Sequence, residues 1–119
     1  MAFTAMELVA LAKKTIQEIN LENTEAVLTE QLIIDVREPA EFIAGHLPNA
    51  INIPRGVLEF RIRQHPSFQN PQTKIIVYCQ SGGRSALAAE SLHKMGFVNT
   101  VSMAGGFSAW QASGRSVIA

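Results

Sequence analysis

One cysteine occurs in 119 residues, so no disulfide can form within the chain. That scarcity fits a reducing compartment, and a cytoplasmic location is the expectation. Net charge is also missing: Lys and Arg total 10, as do Asp and Glu. No global field draws the chain to nucleic acid or to an anionic membrane, and neither is expected as a partner. No apolar run approaches the roughly 20 residues of a membrane span. The start, Met1 to Glu7, lacks the basic residues of a signal peptide, and Glu7, Lys13 and Lys14 interrupt any apolar segment. The histidines number 3 and are scattered as His46, His65 and His93, which argues against a metal site. Repeats, low-complexity tracts and linkers are absent, so residues 1–119 read as one domain with a core.

What is present centres on that cysteine. The apolar run Lys74-Ile75-Ile76-Val77-Tyr78 reads as a buried parallel strand, and Cys79 stands at its carboxyl end. Gln80-Ser81-Gly82-Gly83 forms a short loop, and Arg84 and Ser85 lead into a helix running to Met95. Ligands of open α/β sheets bind outside the carboxyl ends of strands. Small residues and paired glycines let successive N–H groups converge into an anion-binding nest. The helix N-terminus adds unsatisfied donors, and Arg84 adds a permanent charge. All three favour thiolate, the reactive form of cysteine. A free cysteine is ordinarily a small buried hydrophobe; the strand–loop–helix setting favours the nucleophile.

Around this segment, short strands and helices alternate. Thr4 and Glu7 form a capping box for a helix with Leu8, Leu11 and Ala12 as its apolar stripe. A strand is expected over Ile16 to Ile19, and a helix capped by Asn20 over Leu21 to Thr29. Leu32 to Val36 reads as a buried strand, and Pro39 opens a helical turn ending near Gly45. Ala50 to Ile53 is a short strand, followed by a helix from Gly56 to Arg63 and a polar loop from Ser67 to Thr73. Gly96 and Phe97 close the helix after Cys79 in a Schellman pattern. Thr100 to Met103 is the last strand, and Gly105-Gly106 turns into a helix anchored by Trp110. The alternation predicts an α/β fold: three layers, α/β/α, around a mainly parallel sheet.

Four segments together resemble the rhodanese domain in its single-domain sulfurtransferase form. They are Asp35-Val36-Arg37-Glu38-Pro39 with Glu41-Phe42, and Gly45-His46-Leu47-Pro48-Asn49-Ala50 with Asn52 and Pro54. The Cys79 loop and Gly105-Gly106-Phe107-Ser108-Ala109-Trp110 complete the set. Asn49 departs from a frequent family glycine, and the sequence ends soon after Val117. The resemblance implies a five-stranded parallel sheet and a Cys79 that carries sulfane sulfur as a persulfide. It further implies a small anionic donor such as thiosulfate, and cyanide, a thiol or a protein thiol as acceptor, with no cofactor. A persulfide carrier that turns over free thiosulfate poorly is the alternative. Related phosphatase and arsenate reductase domains place five residues between Cys and Arg. Here four intervene, a loop better sized for one extra sulfur than for a phosphate group.

Other residues have two readings each. Asp35 and Arg37 could line the site at a strand end; an ion pair tying the next loop is the expected role. Arg55, Arg61 and Arg63 could form a basic rim for the donor. Glu59 stands four residues from both Arg55 and Arg63, so a solvated helix pair accounts for two of them as well. His46 is read as a packing residue.

Overall fold

The computed structural model describes residues 2–119. Five strands form one sheet: β1 (Gln17–Ile19), β2 (Leu32–Asp35), β3 (Ala50–Asn52), β4 (Ile75–Tyr78) and β5 (Thr100–Met103). Their order is β1-β5-β4-β2-β3, and every pairing is parallel. The helices are α1 (Ala5–Lys13), α2 (Leu21–Ala26), α3 (Pro39–Ala44), α4 (Leu58–Arg61), α5 (Gly83–Lys94) and α6 (Gly106–Ala112).

Strand alternation divides the core in two. Ile75, Val77 and Cys79 face one side, where residues of α1, α4 and α5 pack, including Ala12, Leu58, Ala86 and Leu92. Ile76 and Tyr78 face the other, against Phe107 and Trp110 of α6, with Leu21 of α2 partly buried beside them. β4 is buried on both faces, hence its unbroken apolar run. After β2 the chain moves outward to β3, then returns to lay β4 on the opposite side of β2. The carboxyl ends of β2 and β4 therefore flank a topological switch point, the usual ligand crevice of such sheets.

Local signals account for most boundaries. Thr4 and Glu7 exchange capping hydrogen bonds at 3.1 and 2.9 Å. At the end of α5, Gly96 N–H bonds the His93 carbonyl at 3.0 Å and Phe97 N–H the Leu92 carbonyl at 2.9 Å. Those are the two bonds of a Schellman motif, with Gly96 at φ 97°. Asn49 has φ 67°, a left-handed turn that asparagine tolerates better than most side chains.

Three expectations need correction. In α1 the stripe is turned: Ala12 is buried and Val9 packs on the core, whereas Leu8 and Leu11 are exposed. Periodicity could not choose between two apolar faces; contact with α5 does. The helix expected over Gly56 to Arg63 is broken into 3-10 turns at Arg55–Val57 and Ile62–Gln64 around the single α turn of α4. The short stretch must fold Leu58, Ile62 and Phe68 into one core and has no long face to bury. The polar loop holds a further 3-10 turn, Pro66–Phe68, seated by buried Phe68.

Candidate active site

Cys79 leaves the buried end of β4 and is itself 1% exposed. Its Sγ accepts a hydrogen bond from Gly82 N–H at 3.0 Å and lies 3.5 Å from Ser85 Oγ. Gly82 caps α5 at φ 114°, a conformation that side chains rarely adopt, and so turns its amide back toward the sulfur. The helix starts at Gly83, which brings Arg84 and Ser85 into its first turn. Burial pushes the thiol pKa up. Hydrogen bonding from the Ser85 side chain and from the backbone of Ser85, Gly82 and Ser81 outweighs it, and the net direction is down.

The loop is clamped from two sides. Phe107 N–H bonds the Cys79 carbonyl at 2.8 Å, and Ser108 N–H bonds the Gln80 carbonyl at 3.0 Å. The first turn of α6 thus uses its free donors on the loop. Gln80 Nε2 donates to Ser108 Oγ at 2.8 Å, while its Oε1 accepts from Arg37 at 3.2 Å.

Arg37 and Asp35 form a buried ion pair, 2.7 Å at its shortest. Arg37 also donates to the Gly45 carbonyl at 2.6 Å and lies over the Phe107 ring at 4.3 Å. These bonds tie β2, the α3 turn and the Cys79 loop together. His46 stacks on Phe42 at 3.7 Å and bonds its carbonyl at 2.8 Å. Trp110 is buried, with its indole N–H on the Ser116 carbonyl at 2.8 Å.

The arginines differ from expectation. Arg84 donates to both carboxylate oxygens of Glu41, at 2.8 and 3.0 Å. It couples to the Cys79 charge, but its pairing with Glu41 comes first. Hydrogen bonds, more than a free guanidinium, lower the thiol. Of the proposed rim, Arg55 pairs with Glu59 at 2.8 Å and reaches Ser91 at 3.3 Å. Arg63 bonds the Met95 carbonyl and lies over Phe97 at 5.3 Å. Only Arg61 of the three makes no ion pair or hydrogen bond among the described residues. Arg55 and Arg63 are held by local partners, as the helix-pair reading allowed for Arg55.

Two contributors were missed. Glu41 has no role readable from its own segment, because its partner Arg84 lies 43 positions away. Ser102 is fully buried and donates to Ser85 Oγ at 2.9 Å. Its signal was legible: a hydroxyl at an inward strand position needs a partner. A cavity of about 590 Å³ lies at the amino ends of β1 and β5 near Lys74 and Asn99. Cys79 stands at the opposite end of the sheet, so the setting of the sulfur locates the chemistry.

Among the described residues, no helix is long and apolar enough to cross a membrane, and no group of His, Cys, Asp or Glu could hold a metal ion. The rhodanese-like domain family matches residues 14–113. A sulfurtransferase of Allochromatium vinosum is 29% identical over 87% of this chain and 96% of its own length. The chloroplastic thiosulfate sulfurtransferase 16 of Arabidopsis thaliana is 38% identical over 76% of this chain and 82% of its own. A solved structure from Rhodopseudomonas palustris, described as of unknown function and a possible tyrosine phosphatase, superposes with a TM-score of 0.90 at 29% identity. It spans 99% of this chain and 96% of that one. The chain therefore belongs to the rhodanese-like family, as a sulfurtransferase-type domain with a five-stranded parallel sheet.

Proposed function

We propose that Cys79 moves sulfane sulfur from a donor such as thiosulfate to cyanide or a thiol, a protein thiol included. The observation that carries this reading is the sulfur itself: buried, hydrogen-bonded by Gly82 N–H and at the head of α5. The thiolate attacks the outer sulfur of thiosulfate. A Cys79 S–S bond forms as the donor's S–S bond breaks, and sulfite leaves with the bonding pair. The acceptor then attacks the terminal sulfur of the persulfide, giving thiocyanate or a new persulfide, and Cys79 departs as thiolate. Two covalent half-reactions imply ping-pong kinetics. The Gly82 amide and the Ser85 hydroxyl supply donors where negative charge collects, as in an oxyanion hole. Four residues between Cys79 and Arg84 support sulfur chemistry over phosphate-ester hydrolysis.

Intact-mass measurement tests the reading. Incubation with thiosulfate is expected to add one sulfur atom, which cyanide removes, and Cys79→Ala is expected to take up none. Sulfur transfer surviving in that variant, or Cys79-dependent turnover of an aryl phosphate, would overturn it. Loading without turnover of free thiosulfate would point to a carrier for a protein acceptor.

A further inference from the structure

Ser85 has one hydroxyl proton and two acceptor positions. Ser102, on the neighbouring strand β5, donates into one of those positions at 2.9 Å. The Ser85 proton then has two destinations, the Gly82 carbonyl at 3.3 Å and Cys79 Sγ at 3.5 Å. A neutral thiol leaves that proton on the carbonyl; a thiolate draws it to sulfur. A hydroxyl that accepts one hydrogen bond donates the next more strongly. All three side chains are buried, at 0% exposure for Ser85 and Ser102 and 1% for Cys79, so water does not compete.

We propose that Ser102 is a positioning residue for the reaction at Cys79. It holds and polarises the Ser85 hydroxyl so that its proton serves the thiolate when Cys79 attacks and again when Cys79 is the leaving group. The inference rests on Cys79 as the nucleophile. The competing account is mutual satisfaction of two buried hydroxyls, with no bearing on the sulfur. Charged groups around the thiol are already paired: Arg84 of α5 with Glu41 of α3, and Arg37 with Asp35 at the end of β2.

Because Cys79 is the only cysteine, iodoacetamide alkylation against pH reports on it alone. Ser102→Ala is expected to move the inflection to higher pH and to slow alkylation at pH 7 by about two- to tenfold. Ser85→Ala is expected to move it in the same direction. Adding Ser102→Ala to Ser85→Ala should then change nothing further, the non-additivity of residues acting through one contact. Ser102→Thr keeps a hydroxyl and is expected to hold the wild-type inflection. An unmoved inflection in Ser102→Ala, an equal effect of it in the Ser85→Ala background, or no rescue by threonine would each overturn the proposal. Alkylation needs no sulfur donor, so failed loading by thiosulfate would count against the proposed function and leave this inference standing.

Discussion

Glu41 of α3 and Arg84 in the first turn of α5 meet through two hydrogen bonds, so the charge nearest the Cys79 loop is already neutralised in part. Hydrogen bonding from Arg84 holds the Glu41 pKa down to about 2, against an ordinary 4.5. A carboxylate lowered on folding stabilises the native state above its unfolded value, and that contribution is lost as pH falls through the folded value. Glu41→Gln is therefore expected to be the less stable protein at pH 7 and to converge on wild type between about 4.5 and 2, as read from urea midpoints. The effect is small, because both side chains are about one-third exposed. The same variant frees Arg84, so the apparent KM for thiosulfate should fall severalfold. Arg55→Ala and Arg63→Ala, whose guanidinium groups are held by other partners, should leave that KM unchanged. A raised KM in either would restore the basic rim.

At the scale of elements, the loop and its clamp differ in how far the sequence revealed them. Strand β4, the glycine turn and α5 were legible because local rules suffice: an apolar run, positive-φ positions and a Schellman stop. The docking of α6 was not, since it depends on backbone approaching backbone. Gly106 shows why. It sits at φ 62°, and a Cβ there would lie 2.6 Å from the Gln80 carbonyl oxygen and 2.7 Å from that of Cys79. Gly96, at φ 97°, has open space around it. Gly96→Ala should cost about 1–2 kcal/mol of backbone strain. Gly106→Ala adds about 1–3 kcal/mol of overpacking and displaces α6 from the loop. Thermal unfolding and the alkylation rate of Cys79 check this together: both should change in Gly106→Ala, and only stability in Gly96→Ala. The side of α1 that packs, the breaks around α4 and the Glu41–Arg84 pair were hidden for the same reason. Each is decided by a partner distant in the chain, on which local periodicity is silent.

The whole molecule is organised around a sheet whose chain order and spatial order disagree. β5 lies between β1 and β4, and among the described residues it is the only partner of β1. A chain ending at Asn99 would leave β1 unpaired, open one edge of β4, and lose Ser102, Phe107 and Trp110. Such a fragment is expected to show no cooperative thermal transition; a sharp one would mean that β2, β3, β4 and α5 suffice. The register joins Gln17 to Val101 and Ile19 to Met103, so β1 is completed only once β5 has been made. Synthesis from the amino terminus cannot set this sheet down strand by strand. On the ribosome, Gln17–Ile19 must wait until Thr100–Met103 has emerged, and refolding must close that long loop before this edge is rewarded. Contacts so far apart in sequence slow folding relative to helical domains of similar size. The Cys79 loop, clamped by Phe107 and Ser108 at the start of α6, therefore cannot reach its final form until those residues have been made.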